Sequence, residues 1–492
     1  GAAAADAGAD VGSLLDGARD APYDASIEST APAPDATTPA DAGPAASPPA
    51  HAASWSLRFG DSQDQHVYAV AADAAGDLFV AGAFAGSIDF GGGVALASTG
   101  GDDAFVAMLD PQGKAIWARG FGDTADGGAN PQRAYGVAVD AAGDVFVCGA
   151  FAGTLVATTT PVLSEEGLDG FVVKLDAMGT VQWIRSFAGP GDQSVSSIAS
   201  DATGTTVVEG AFEYSMDVNG TTVPNTGGFD AFTVRLNPNG SPLWSATLGG
   251  PDDQIGTAVA IADGGVPFAT GYVAGRANVG TNVDAGVVTS AGGYDVFLAS
   301  FAANNGNPGL VTSFGDPADQ YGYALAVDSL GGGHVVVAGP FAGTLTFGAQ
   351  PLVSAGLHDV FVARFDLSGA PAWGVRIGDP QEQVAYGTAI DLGGNVLVAG
   401  SLQGTATFGS ETVVGAGGDD ALLAKLDPDG KPLWIDRFGD PSEQSATAVT
   451  TTLAGGAYDV VLAGNFEGTI DLGAGPLTSQ GGTDFFLAVF PP

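Results

Sequence analysis

The sequence predicts an all-β fold: a seven-bladed β-propeller of four-stranded antiparallel blades, closed by an N-terminal strand that completes the last blade. Three recurrences carry that prediction. An aromatic or apolar residue stands ahead of an apolar–Gly pair, or apolar–Ala in the third copy, in "WSLRFG" from Trp55, "WARGFG" from Trp117, "WIRSFA" from Trp183, "WSATLG" from Trp244, "LVTSFG" from Leu310, "WGVRIG" from Trp373 and "WIDRFG" from Trp434. All six tryptophans of the chain fall on this one position, and the seven copies, Leu310 included, recur at intervals of 61 to 66 residues. A glutamine recurs at Gln65, Gln132, Gln193, Gln254, Gln320, Gln383 and Gln444, and an aspartate at Asp103, Asp169, Asp230, Asp295, Asp359, Asp420 and Asp484. Self-similarity at a fixed period marks a repeat architecture, in which each unit buries its flanks on its neighbours.

Each unit reads as four short strands in order. After the glutamine comes an alternating run such as "AYGVAVD", then a turn like "DAAGD" and a second run, "VFVCGAF". A looser Gly-rich segment leads to a third run, "DGFVVKLD", a turn such as "DPDGK" and the Trp strand. In the first run the fourth and sixth residues after the glutamine are small, whereas the fifth and seventh are mostly Val, Ile or Leu. Strand alternation puts these sets on opposite faces. A flat face and a bulky face let each sheet stack on its own copy around a ring. A glycine inside every second run (Gly82, Gly149, Gly210, Gly271, Gly339, Gly400, Gly464) points to a bulge or a close backbone approach.

The ends supply the closure. The seventh unit stops after its third strand, "DFFLAVFPP", and the repeats open with an orphan Trp strand, "WSLRFG". Pairing residues 54–60 with 484–490 removes a raw sheet edge and closes the ring.

Composition narrows the function. Across 492 residues, 55 acids face 14 bases, for a net charge of −41, which excludes nucleic acid and anionic membrane surfaces as partners. With 78 Gly and 28 Pro the chain is turn-dense, and 45% apolar content still suffices for a core. One cysteine, Cys148, excludes an intramolecular disulfide or a multi-thiolate metal site. No apolar run is long enough for a transmembrane helix.

Residues 1–53 form short shuffled blocks of Ala, Asp, Gly, Pro, Ser and Thr, with eight acids and one base, Arg19. They bury too little to offset chain entropy and read as a disordered acidic tether ahead of the propeller, residues 54–492. The chain opens at Gly1 without a charged-then-apolar leader, so a targeting segment has been removed or was never included.

Runs such as "AYGVAVDAAGDVFVCGAFAGT" and "GGDDALLAKLDPDGKPLW" resemble the bacterial SBBP-type β-propeller repeat, over residues 54–490. Leu310 in place of Trp and "TTLAGGAYD" in the seventh unit are the departures. The resemblance implies an extracellular or envelope-surface module, with a lipoprotein-like tether that offers lipid or cell-surface anchoring.

A feature present in every blade serves architecture, because one site needs one copy. The glutamine and aspartate series are therefore expected to hydrogen-bond loop backbones, and the tryptophans to pack on the adjacent blade. Positions that vary between blades are the functional candidates. Three residues after the glutamine stand Tyr68, Tyr135, Tyr323 and Tyr386, with Ser or Thr elsewhere; one residue after it stand His66, Arg133 and Tyr321. These begin the first strand, at the face that also collects the acids of "FGDSQDQ" and its copies. Tyrosines over an acidic rim can grip a sugar, peptide or cation; the competing reading is that they only pack between blades. The longest insertion at this mouth, "DTADGGANPQ", offers Asp123, Asp126 and Asn130 as calcium ligands, and calcium is the one cofactor the sequence admits. Catalytic signals are missing: no G-x-S-x-G elbow or phosphate loop, no paired histidines among His51, His66, His334 and His358, and no cysteine pair of the quinoprotein kind. Glu209 stands where other units have Ala, Cys or Thr, as a buried acid or an edge charge. The expected function is a non-catalytic extracellular or cell-surface scaffold that binds a protein or glycan through this acidic face. The alternatives are a propeller enzyme (hydrolase, lyase or quinoprotein-like) and a structural envelope spacer.

Overall fold

The computed structural model describes residues 51–123, 130–280, 286–328, 333–348, 350–454 and 457–492. The predicted tether over 1–50 lies outside the described residues. Seven antiparallel four-stranded blades form the propeller. Each first strand touches the first strand of the next blade, and the seventh returns to the first. Blade 1 shows the pattern, with strands Gln65–Ala72, Leu78–Phe84, Asp103–Leu109 and Ala115–Phe121 from the centre outward. Its second and third strands are buried at every residue, because a neighbouring sheet covers each face.

The apolar runs supply the material between blades. Phe59 and Phe485 from blade 7 meet Phe90 and Phe105 from blade 1, with ring centroids 5.0 to 6.4 Å apart. Volume is also matched across interfaces. Where the second strand carries the oversized Glu209 or Thr270, the facing first strand of the next blade carries Gly256 or Gly322. A Cβ on Gly256 would lie 2.2 Å from Glu209 Oε1, and one on Gly322 would lie 2.6 Å from Thr270 Oγ1. Glu209 is thus a buried acid, not an edge charge.

The segment between second and third strands is more ordered than its Gly-rich sequence suggested. It forms a two-stranded hairpin in each blade, as in Ser87–Gly91 with Val94–Ala97. The hairpins also reach back to the outer strand of the preceding blade, as in Leu248 with Val279.

Each tryptophan packs on the adjacent blade, as expected. The Trp55, Trp117, Trp183, Trp244 and Trp373 indoles donate to backbone carbonyls in the third-to-fourth-strand turn of the next blade, at 3.0 to 3.3 Å. Trp434 meets blade 7, whose outer strand comes from the other end of the chain, so no such turn exists there. His51 takes its place: the imidazole stacks on Trp434 with centroids 4.5 Å apart, and Nδ1 lies 2.7 Å from Asp436 Oδ2.

The ring closes as the sequence predicts. Trp55–Phe59 pairs antiparallel with Asp484–Phe490, Trp55 opposite Val489 and Phe59 opposite Phe485. Arg58 Nη1 donates to Asp484 Oδ2 at 2.5 Å. Ala53 is buried and donates its amide to Leu472. Among the described residues the packing already includes His51 and Ala53, just ahead of the strand predicted from 54.

Candidate functional site

The site follows from one irregularity repeated around the ring. In six first strands the pairing with the second strand slips at the third residue after the glutamine: at Tyr68, Tyr135, Ser196, Thr257, Tyr386 and Thr447. A bulged residue is unpaired, and its side chain is re-aimed. In blade 5 the regular strand starts only at Ala324, and Tyr323 holds the same place with its amide bonded to Ala338. The recurrent glycine permits the bulge. A Cβ at Gly82, Gly149, Gly210, Gly271, Gly339, Gly400 or Gly464 would sit 1.9 to 2.1 Å from the carbonyl oxygen of the residue after the glutamine.

The six bulge residues and Tyr323 all line one central cavity of about 170 Å³. Among the described residues no charged side chain lines it. The order of the blades gives it a shape. Tyr68 and Tyr135 come from adjacent blades 1 and 2, with ring centroids 5.5 Å apart, and Tyr323 and Tyr386 come from blades 5 and 6. In a seven-membered ring these pairs lie on roughly opposite sides. The smaller Ser196 and Thr257 occupy one flank and Thr447 the other, so the channel is a slot between two aromatic walls. Thr257 and Thr447 spend their hydroxyls on the next blade, donating to Gly322 and Val67. Ser196 Oγ, buried in the slot, makes no hydrogen bond to the protein.

Of the predicted residues, the structure thus brings Tyr68, Tyr135, Tyr323 and Tyr386 together. His66, Arg133 and Tyr321 stay at the rim. His66 stacks on Tyr68 at 6.1 Å. Arg133 pairs with Asp102 at 3.1 Å. Tyr321 joins an aromatic cluster between blades 4 and 5, with Tyr272, Tyr294, Tyr323 and His358 at 5.0 to 6.0 Å. Sequence reasoning missed Tyr272 and Tyr294. The signal was present, since the residues after the recurrent glycine and before the recurrent aspartate also vary from blade to blade.

The symmetric polar residues hold loops. Gln65, Gln320, Gln383 and Gln444 each donate to a loop carbonyl and to the aspartate four residues earlier. The acid before the glutamine accepts a backbone N–H from the preceding blade: Asp192 from Leu168, Asp253 from Phe229, Asp319 from Tyr294, Glu382 from His358 and Glu443 from Asp419, at 2.8 to 3.3 Å. Blade 2 has Pro131 at this place, and the Arg133–Asp102 pair ties that interface instead. Of the calcium candidates, Asp123 accepts the Thr154 amide at 3.1 Å, the loop-holding place that Asp316 and Asp379 fill in other blades. Asn130 turns its amide nitrogen, not its oxygen, toward Gly153, and Asp126 lies outside the described residues. Among the described residues no group of three or more His, Cys, Asp or Glu is placed to hold a metal.

Burying so many acids makes stability depend on pH. Burial pushes the Asp169 carboxyl up to about 7, against the N–H bonds from Glu165 and Gly189. Burial likewise carries Asp230, Asp295 and Asp419 to about 6 and Glu209 well above the usual carboxylate range despite the Thr233 hydroxyl. A carboxyl whose folded pKa is raised stabilises the fold fully below its unfolded value and loses that contribution as pH rises through the folded value. The Tm is therefore expected to rise as pH falls from about 8 to about 5. Glu209→Gln should raise the Tm at pH 8 and leave it nearly unchanged at pH 5. Calorimetry of both proteins at both pH values checks this, and a Tm that falls on acidification in this window would refute it.

No family model matches the chain, and no curated protein matches it. Solved structures match at the level of fold. The quinohemoprotein alcohol dehydrogenase of Comamonas testosteroni is 14% identical with a TM-score of 0.47, over 90% of this chain and 76% of that one. A europium-containing methanol dehydrogenase is 13% identical with a TM-score of 0.44, over 89% and 93%. The Pan2 WD40 domain of Neurospora crassa is 10% identical with a TM-score of 0.41, over 87% and 89%.

Proposed function

We propose that the protein is a non-catalytic binding scaffold that takes its ligand, a protein segment or glycan, at the tyrosine slot in the centre of the ring. The observation that supports this reading is the convergence of Tyr68, Tyr135, Tyr323 and Tyr386 on one cavity. Nothing in the repeat requires it, because Ser and Thr serve the same bulge in three blades. Aromatic faces with hydroxyl tips suit ring-shaped or peptide ligands that offer both apolar faces and polar edges. The lining holds no carboxylate, imidazole or amine to act as general acid or base beside the tyrosine hydroxyls, which favours binding over catalysis. The resemblance to envelope-surface repeat modules and the scarcity of bases favour an extracellular or surface setting for this role.

Two variants test it on glycan and peptide arrays. Tyr386→Ala removes part of one wall. Ser196→Tyr fills the slot with a side chain that four blades already carry at this place. Both are expected to lower binding of a glycan or neutral peptide captured at the slot about tenfold or more, equivalent to ~1.4 kcal/mol, with the Tm within about 2 °C of wild type. Glycans and neutral peptides that bind both variants as well as the native protein would overturn the slot reading, and capture of no ligand at all would leave a structural spacer as the better reading.

A further inference from the structure

We propose a second recognition site, on the rim of blades 4 to 6, that takes the guanidinium or ammonium side chains of a basic polypeptide. It is distinct from the slot, and none of its three rings, Tyr272, Tyr294 and Tyr321, lines the central cavity.

The first ground is aromatic. Tyr321 contacts Tyr272 edge-on at 5.0 Å and Tyr294 at 5.7 Å, and Tyr272 and Tyr294 meet at 5.1 Å. No other part of the described rim gathers so many rings. Tyr272 is buried and serves as the floor, whereas Tyr294 and Tyr321 remain partly exposed. Negative ring faces attract cations, more strongly when partly desolvated.

The second ground is charge. Asp253, Asp319 and Glu382 precede the glutamines of three successive blades and flank these rings. Their only basic partner among the described residues is His358, whose Nδ1 lies 2.8 Å from Glu382 Oε1. At the interface of blades 1 and 2, by contrast, the chain supplies its own Arg133 to Asp102. Tyr294 Oη donates to Asp253 Oδ2 at 3.3 Å, which draws electron density into the ring and strengthens its negative face. The local field is consistent with this. Burial and then Asp253 push the Tyr294 phenol up to about 12. His358 is held above its ordinary value by Glu382, Asp319 and Asp359, although burial opposes this.

The third ground selects a polypeptide over a small cation. The three carboxylates are spread along the rim over successive blades, so one small cation meets one of them, whereas a basic segment lying across the rim meets all three. A chain of net charge −41 also steers such a segment to it.

Hexa-arginine, spermine and guanidinium chloride are the probes, titrated against the full chain at fixed ionic strength. Hexa-arginine is expected to bind, and Tyr294→Leu with Tyr321→Leu to weaken it about tenfold. Tyr321→Phe should keep affinity within about twofold. Ser196→Tyr and Tyr386→Ala should leave it unchanged, so failure here and failure of the slot reading are separable. Should the double Leu variant not fold, a series of increasingly fluorinated phenylalanines at 321 replaces it, with affinity falling as fluorine depletes the ring face. Equal affinity in the Leu variant or across the fluorinated series would reduce the attraction to bulk charge and overturn the proposal. Spermine or guanidinium binding with the same affinity and the same dependence on Tyr321 would overturn the polypeptide assignment.

Discussion

Removing residues 1–60 should lower the Tm by about 10 °C or more and make the protein prone to aggregate, whereas removing residues 1–50 should leave the Tm unchanged. The larger truncation takes away Trp55–Phe59, the outer strand of blade 7. Phe59 is fully packed against Phe90 and Phe485, and burial of one such side chain contributes ~1.5–3 kcal/mol. Loss of Arg58 leaves the buried Asp484 carboxylate without its cation. The third strand of blade 7 then presents an unpaired edge, a template for association with another chain. A truncation at residue 53 falls between the two, because it removes the His51 stack on Trp434 and the Ala53 amide bond but spares the strand. Its expected cost is ~1–2 kcal/mol. Thermal melts of the three truncations give the ranking, and equal Tm values for the 1–50 and 1–60 deletions would refute closure by this strand.

The second large effect is expected at the glycine that permits the bulge. In Gly400→Ala the new Cβ would lie 2.0 Å from the Val384 carbonyl oxygen, with backbone on both sides of the clash. The chain can relieve it only by pushing the first strand of blade 6 off its partner, at a cost of ~3 kcal/mol or more. Tyr386, two residues beyond Val384, moves with it, so binding at the slot should fall together with stability. Gly120→Ala is the matched control. That glycine is itself exposed on the outer strand, and a Cβ there would have no neighbour closer than 3.8 Å, so the substitution should be neutral or stabilising by up to ~1 kcal/mol. Chemical denaturation of both variants decides, and equal midpoints would contradict the steric role.

The fold was legible because the repeat states its own boundaries. The seven-fold glutamine and aspartate series fixed the count, the strand-length runs fixed the blade, and the mismatch between the ends fixed the closure. The glycine series hinted at a bulge but not at its consequence, since strict alternation would place the third and fifth residues after the glutamine on one face. The slip at Tyr68 and its counterparts breaks that alternation and turns a variable position into the channel lining. The hairpins between second and third strands escaped notice because their Gly-rich turns mask two to five residues of pairing on either side. The rim cluster of Tyr272, Tyr294 and Tyr321 joins three positions distant in sequence and drawn from neighbouring blades, which no single repeat displays. The Glu209–Gly256 match belongs to an interface and shows only when one blade's second strand is set against the next blade's first.

Hydrogen exchange of the amino-terminal strand tests closure of the ring most directly. In the intact protein the amides of residues 55–59 that point at the third strand of blade 7 should be as protected as those of residues 485–489, because both belong to one cooperative unit. Exchange of residues 55–59 at the rate of an unstructured peptide, with the remaining blades protected, would contradict it.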